Sequence, residues 1–141
     1  MTNKKVLVCG GTGFMGRNIA EYFDNLDGFE VYVTGYNRVL TNWPHERFFK
    51  VDLTSRTEVQ DLFSKKKFDI VIQAAATTSG SKDIIERPYL HVTDNAVMNS
   101  LILQACYDHD VGHFLFLRLW RQTYVTSLNR IYHKGRKYYC A

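Results

Sequence analysis

The chain has 141 residues, of which 45% are apolar, 23% charged and 14% aromatic, and its formal net charge is +4. This length holds one domain with a single core, and this composition excludes disordered, collagen-like and disulfide-framework chains. The charge is uneven, because residues 1–117 carry 12 basic and 14 acidic residues whereas residues 118–141 carry six basic residues and no acid, so nucleic-acid binding can rest only on that last segment.

The first predicted element is a buried strand over residues 5–9, a short apolar and β-branched run. A glycine cluster follows it at once. From Met15 to Leu26 apolar residues recur at helical spacing, and Gly28 predicts the end of this helix. The order of these segments is strand, glycine-rich turn and amphipathic helix.

The remaining segments continue to alternate between strands and helices. A capping box between Ser55 and Glu58 starts a second helix that ends near three lysines at 65–67, and a third helix covers residues 94–107. Further strands are predicted over residues 29–34, 47–51, 68–73 and 113–117. This alternation predicts an α/β fold, a three-layer doubly wound parallel sheet with strand order 3-2-1-4-5.

Cysteine spacing and hydropathy exclude several other kinds of protein. The three cysteines, Cys9, Cys106 and Cys140, form no CxxC pair, so we expect no metal site and a reducing compartment. No apolar run approaches the roughly 18 residues of a membrane helix, and the first residues do not form a signal peptide. These observations predict a cytoplasmic protein with no membrane partner.

The glycine cluster carries the strongest functional signal. Residues 10–16 read Gly-Gly-Thr-Gly-Phe-Met-Gly, which contains both GxGxxG and GxxGxxG spacing directly between a strand and a helix. A dinucleotide pyrophosphate has to approach backbone N–H groups at a helix N-terminus, and a Cβ in the turn would block it. The alternative is an ordinary glycine-rich strand–helix turn.

Five segments, in order along the chain, carry a resemblance to a known family: residues 10–16, 51–54 and 71–76, Pro88 with Asn95 seven residues later, and residues 111–116. Over residues 4–117 the chain resembles the N-terminal part of the extended short-chain dehydrogenase/reductases. This NAD-dependent epimerase/dehydratase family includes the UDP-glucose 4-epimerase and GDP-L-fucose synthase branches. One departure is Gln73, where the family usually has histidine.

The resemblance implies a Rossmann dinucleotide-binding domain over residues 1–117 and, in the intact family, a nucleotide-diphosphate sugar as the substrate. It implies that Asp52 bonds the adenine amino group and that the backbone at Leu53 lines the base. It also implies that the small residues 74–76 let a ribose lie on the backbone and that Asn95 helps to organise the active site.

The end of the second strand bears on the choice of cofactor. NAD enzymes usually place an acidic residue there to bond the ribose 2′-hydroxyl, but this chain has Gly35, Tyr36, Asn37 and Arg38. The segment contains no carboxylate that would repel a 2′-phosphate, and Arg38 offers this phosphate a planar, bidentate partner. We therefore predict NADP as the cofactor, with NAD as the alternative. The alternative interpretation of Arg38 is a surface-loop residue with no role in binding.

The predicted cofactor-binding residues are Gly10, Gly11, Thr12, Gly13, Phe14, Met15, Gly16, Asn37, Arg38, Asp52, Leu53, Ala74, Ala75, Ala76 and Asn95. No catalytic residue is predicted. The family uses a Ser or Thr after the fifth strand, where this chain has Leu119, and then a Tyr-x-x-x-Lys pair that residues 118–141 do not contain. We therefore expect cofactor binding that is at best weak, and no appreciable turnover of a nucleotide sugar.

Residues 118–141 form a separate basic and aromatic tail, with two open interpretations. In the first, which we favour, the tail is a shifted reading frame and the chain is a truncated enzyme. In the second, its basic residues and tyrosines bind nucleic acid or a regulatory partner. An ordered tail is expected to be helical and to cover a sheet edge. A dimer is not expected, because only one of the family's two dimer helices is present.

Overall fold

The computed structural model describes residues 3–77, 86, 88–117, 131–133 and 136–140. A 3₁₀ turn, His45–Arg47, precedes the third strand. The elements in chain order are β1 (Lys4–Cys9), α1 (Phe14–Asp24), β2 (Phe29–Gly35), β3 (Phe48–Lys50), α2 (Arg56–Lys65), β4 (Ile70–Gln73), α3 (Pro88–Asp108), β5 (His113–Phe116), β6 (Ile131–His133) and β7 (Arg136–Cys140).

These strands form one sheet with the order β3-β2-β1-β4-β5-β7-β6. The first five are parallel, with Val6 of β1 opposite Val31 of β2 on one side and opposite Ile70 of β4 on the other. The predicted α/β class and the strand order 3-2-1-4-5 are therefore confirmed. A doubly wound sheet of this order places the carboxyl ends of β1 and its neighbours at one edge, where Rossmann folds bind their ligands.

Two apolar clusters fill the space on the two sides of the sheet. Successive β1 side chains alternate between them: Val6 and Val8 belong to one cluster, and Leu7 and Cys9 belong to the other. The first cluster includes Ala20 of α1, whereas the second contains the buried residues of α2 and α3. Both faces of β1 are thus covered along residues 6–9, which explains why these four residues are all apolar. None of the described helices is long and apolar enough to cross a membrane.

Two helix boundaries differ from the prediction. Helix α1 ends at Asp24 rather than at Gly28. Asn25 is its C-cap: its side-chain amide bonds the Glu21 carbonyl (2.8 Å), which also accepts the helical i→i−4 bond from the Asn25 backbone N–H (3.2 Å). Helix α3 begins at Pro88, six residues before the predicted start. Proline suits a first helical turn, since its φ is already helical and its missing N–H would have had no partner there.

The predicted helical tail is wrong for the part that the structure describes. Ile131–His133 and Arg136–Cys140 are strands, β7 pairs in parallel with β5, and β6 returns antiparallel to β7. Ile131, Tyr132, Tyr138 and Tyr139 are residue types that favour strands. The tail does extend the sheet beyond β5. The described residues do not include 118–130, 134, 135 and 141. Leu119 is among these, and the structure therefore does not bear on the prediction at Leu119 or on the shifted-frame hypothesis.

Candidate functional site

A cleft of about 710 Å³ lies at the carboxyl ends of the first four strands. Its size is within the range of ligand pockets. Each wall follows a strand, so the sheet order itself brings together segments that are distant in sequence. The lining comprises Gly10 and residues 12–15 after β1, 34–38 at the end of β2, 51–54 after β3 and 74–77 after β4, with Asp94 and Met98 from α3.

Three glycines in the turn after β1 and the first turn of α1 are required by the fold itself. Gly10 has a φ of +78°, and a Cβ there would lie 2.5 Å from the Cα of Ala75. A Cβ on Gly11 would lie 2.6 Å from the Cβ of Val33, and one on Gly16 would collide with the carbonyl oxygen of Gly10. These glycines let the turn pack directly against the β4 loop, β2 and α1.

Gly13 differs from these three glycines. Its φ of −82° and ψ of 164° are open to any residue. A Cβ added there would have one neighbour within 4 Å, the carbonyl oxygen of Gly10 at an ordinary contact distance of 3.4 Å. Gly13 lines the cleft. The fold therefore does not need glycine at this position, and the space that a side chain would fill is open to the cleft.

The first turn of α1 begins directly after Gly13. This residue supplies no side chain to cap the helix, and the first turn contains no acidic residue. The N–H groups of a first turn have no acceptor within the helix, and the aligned peptide dipoles place a partial positive charge there. Phe14 and Met15 of this turn line the cleft. The helix thus presents an end without a side-chain cap, and with a partial positive charge, to the cavity.

The end of β2 forms the wall of the cleft next to this turn. A Cβ on Gly35 would lie 2.7 Å from both the Thr12 side chain and the Arg38 carbonyl oxygen. No side chain, including a carboxylate, therefore fits at position 35. Tyr36, Asn37 and Arg38 follow it as exposed residues of the cleft wall. The Arg38 side chain forms no ion pair or hydrogen bond within the described part of the chain.

Asp52 supplies a fixed carboxylate at the end of β3. Its Oδ1 accepts hydrogen bonds from the Thr54 backbone N–H (2.9 Å) and hydroxyl (2.6 Å). Its backbone N–H donates to the Glu58 carboxylate at 2.7 Å. Oδ2 of Asp52 has no hydrogen-bond partner among the described residues. The side chain is therefore held in one orientation, with one oxygen left as an acceptor beside the buried Leu53.

Two amide side chains hold the small-residue loop after β4. The Gln73 side chain donates to the Ala75 carbonyl (3.2 Å) and accepts from the Ala75 N–H (3.4 Å). The Asn95 side chain makes the same pair of bonds to Thr77, accepting from its N–H (2.8 Å) and donating to its carbonyl (3.2 Å). Asn95 itself does not line the cleft, but it holds Thr77, which does.

The cysteines of the core carry no chemistry of their own. Burial raises the pKa of Cys9 from 9.0 to about 12, against the lowering effect of a hydrogen bond with Thr34. Burial also raises the pKa of Cys106, and the neighbouring Cys9 adds to this. Both thiols therefore stay protonated near neutral pH and are poor nucleophiles. The described residues contain no cluster of side chains that could hold a metal ion.

The structure brings most of the predicted site residues together. Twelve of the fifteen line the cleft, while Gly11 and Gly16 pack beneath the turn and Asn95 acts through Thr77. The sequence reasoning missed Thr34, Gly35, Tyr36, Val51, Thr54, Thr77, Asp94 and Met98 as lining residues. Residues next to a motif, such as Thr54, could have been predicted from that motif. No sequence pattern pointed to Asp94 and Met98, which the packing of α3 brings to the cleft.

Comparisons with known proteins agree with this geometry. Residues 6–118 match the model of the NAD dependent epimerase/dehydratase family. The crystal structure of a Thermus thermophilus UDP-glucose 4-epimerase, a complex with NAD, superposes with a TM-score of 0.70 at 32% identity, covering 80% of this chain and 37% of that one.

Two curated relatives differ from each other in the reaction that their names give. The chain is 27% identical over 125 residues to UDP-glucose 4-epimerase 2 of Arabidopsis thaliana, covering 80% of this chain and 35% of that protein. It is 25% identical over 126 residues to dTDP-D-glucose 4,6-dehydratase of Dictyostelium discoideum, covering 81% and 28%. The chain thus spans about a third of the length of these relatives.

Proposed function

The chain belongs to the NAD dependent epimerase/dehydratase family, and from this premise we propose that its cleft binds a nicotinamide dinucleotide, with NADP preferred over NAD. The observation that carries this proposal is the unused space at Gly13, next to an uncapped helix end. A pyrophosphate fits both features, because it needs close approach to the backbone and a partial positive charge. The glycines that the fold itself requires do not bear on the ligand in this way.

The adenine end is assigned to the β3 loop. Asp52 keeps one carboxylate oxygen without a partner among the described residues, and its other oxygen is fixed by Thr54. An exocyclic amino group is a suitable donor to such an oxygen. Leu53, 7% exposed, provides an apolar backing for the base. The small side chains of residues 74–76 leave the backbone after β4 open to the ribose on the nicotinamide side.

The preference for NADP rests on the end of β2. Position 35 cannot hold the acidic side chain that would bond a 2′-hydroxyl and repel a 2′-phosphate. Arg38 lies in the same wall, exposed and without an ion-pair partner among the described residues. A guanidinium binds phosphate through two parallel hydrogen bonds, so its pairing with a 2′-phosphate is favourable.

The reaction of the intact family protein is proposed to be epimerisation, dehydration or reduction of a nucleotide-diphosphate sugar. The cofactor supplies hydride transfer at the nicotinamide. The residues of this chain orient the dinucleotide, and none of residues 118–141 completes a Tyr-x-x-x-Lys pair that could move a proton at the sugar hydroxyl. General acid–base help of this kind contributes about 10²–10⁴-fold. The 141-residue chain should therefore bind cofactor without turning over a sugar.

Titration calorimetry with NADP⁺ and NAD⁺ tests the proposal on the full 141-residue chain. We expect binding of both dinucleotides, with NADP⁺ the tighter. Tighter binding of NAD⁺ would overturn the cofactor preference, and binding of neither would overturn the function. In a second assay the chain is incubated with NADPH and UDP-, GDP- or dTDP-sugars. Consumption of NADPH or conversion of a sugar above the buffer level would contradict the proposed lack of turnover.

A further inference from the structure

The core of this fold buries few polar side chains. Apart from the phenol of Tyr32 and the cysteine thiols, Thr34 and Gln73 are the two buried polar residues in the part of the chain that the structure describes, with exposed fractions of 1% and 0%. They lie at or next to the carboxyl ends of β2 and β4, the two strands that flank β1. Burying an amide or a hydroxyl is unfavourable unless it is hydrogen-bonded, so their partners are informative.

Thr34 holds the glycine turn. Its hydroxyl oxygen accepts a hydrogen bond from the Gly10 N–H at 3.0 Å, and its backbone carbonyl accepts one from the Gly11 N–H at 2.9 Å. Both donors belong to the turn that leads into the first turn of α1. A glycine turn has no side chains of its own to fix its path, and its backbone is the most flexible that a protein can use. Thr34 supplies this restraint from the neighbouring strand.

Gln73 holds the opposite wall in the same manner. Its side-chain amide bonds both backbone groups of Ala75, and its Nε2 also donates to the Asn99 side chain of α3 at 2.9 Å. The loop that it holds, residues 74–76, consists of alanines and likewise has no side chain that could fix it. The two walls also touch, because Gly10 packs directly against Ala75.

We propose that Thr34 and Gln73 are a pair of positioning residues that hold the two side-chain-poor walls of the cleft at the spacing the dinucleotide needs. The inference rests on the proposed function. In this role each residue acts through the backbone that its side chain bonds, Gly10 for Thr34 and Ala75 for Gln73. When the binding-competent shape is only partly populated, the apparent Kd rises by the inverse of that population. Both residues therefore set cofactor affinity through loop geometry.

The test compares isosteric variants with a core control. Thr34→Val removes the hydroxyl at nearly constant volume, and Gln73→Met removes the amide. Val59→Ala in α2, at a buried residue that does not line the cleft, is the matched destabilised control. The readouts are the Kd for NADP⁺, measured on the folded 141-residue proteins, and the hydrogen exchange of the Gly10 and Ala75 amides in the ligand-free state.

We expect Thr34→Val and Gln73→Met each to raise the Kd about tenfold, as for a loop whose competent population falls to about one tenth. Exchange should accelerate at Gly10 in the first variant and at Ala75 in the second. Val59→Ala should leave the Kd within about twofold. Thr34→Ser, which restores the hydroxyl, should recover most of the affinity. If Thr34→Val does not fold, Asn99→Leu, which removes the α3 partner of Gln73, takes its place beside Gln73→Met.

Unchanged Kd values in the positioning variants, or an equal loss in Val59→Ala, would reduce both residues to a purely structural role and overturn the inference. Wild-type protein that binds neither NADP⁺ nor NAD⁺ would instead overturn the proposed function, and the positioning role toward a dinucleotide with it. Binding by the wild type together with unaltered variants would overturn the inference alone. The two failures are thereby distinguished.

Discussion

Helices α1 and α2 both follow strands of the parallel sheet, but their first turns are built differently. The α2 turn is closed by its own side chains: the Ser55 hydroxyl accepts from the Glu58 N–H at 3.5 Å, and the Glu58 carboxylate accepts from the Asp52 N–H at 2.7 Å. The α1 turn has neither a cap nor an acid. The chain thus neutralises one helix end with its own side chains, whereas the other end, which lines the cleft, has no such partner, and the proposed function assigns it to an external anion.

Giving α1 the kind of first turn that α2 has should produce the largest effect. Gly13→Asp adds a carboxylate that can cap α1 and complement its dipole, so the ligand-free protein should keep or gain stability. The same charge repels a pyrophosphate and fills its space. We expect at least a hundredfold loss of NADP⁺ affinity, about 2.7 kcal/mol, in titration calorimetry. Undiminished binding would show that the α1 end is not the phosphate site.

Removing the basic residue at the end of β2 tests the other anion contact and should have a smaller effect. Arg38→Ala removes one exposed guanidinium from the cleft wall. A charge-assisted phosphate contact of this kind contributes about 1.5–3 kcal/mol. Because Arg38 is exposed, we expect the lower end of this energy range, roughly a tenfold weaker NADP⁺ affinity. NAD⁺, which lacks the 2′-phosphate, should bind Arg38→Ala and wild type equally. An equal loss for both cofactors would contradict the assigned role.

Opening the capped helix should give the smallest effect, and only on stability. Ser55→Ala removes the side-chain cap of α2, which typically costs about 1 kcal/mol of unfolding free energy. Urea unfolding followed by circular dichroism measures this loss. The Kd for NADP⁺ should stay within about twofold, since the α2 end is already satisfied by protein groups. A marked loss of cofactor affinity would mean that the two helix ends are not functionally distinct.

Much of the fold follows from the sequence, because the strands are short apolar, β-branched runs and the helices show helical spacing or a capping box. The Ser55–Glu58 pattern predicted the α2 start correctly, and alternation predicted the parallel order. The helix ends were harder to predict: α1 ends at a C-cap on Asn25, before the predicted stop at Gly28, and periodicity does not record such local hydrogen bonds. The tail strand β7 depends on the open edge of β5, which exists only once the sheet has formed.

The site was predictable where a motif states a steric demand, and much less so where tertiary packing creates one. The glycine spacing predicted residues 10–16, whereas the role of Asp52 was implied only by the family resemblance. Gly35 excludes any side chain because the Arg38 carbonyl oxygen, Thr12 and Phe48 all lie within 2.8 Å of the place of a Cβ. Thr12 and Phe48 come from separate segments that only the folded sheet brings together. The role of Gln73 was signalled only by its departure from the family's histidine. Thr34 gave no sequence signal at all.

The most direct test of the claim that Gly13 serves the ligand is a paired measurement on two glycines. Gly13→Ala places a Cβ in space that the protein leaves open, at an ordinary φ. The lower entropy of the unfolded chain and the weaker N-cap should roughly cancel, leaving stability within about 0.5 kcal/mol. Gly28→Ala also has open space, but its φ of +86° is strained for alanine, at a cost of about 1–2 kcal/mol.

We therefore predict opposite phenotypes when unfolding free energy and NADP⁺ affinity are measured on both variants. Gly13→Ala should be as stable as the wild type and should bind at least tenfold more weakly, whereas Gly28→Ala should be less stable and should bind normally. Wild-type affinity in a fully folded Gly13→Ala protein would contradict the claim that the position is kept as glycine for the ligand rather than for the fold.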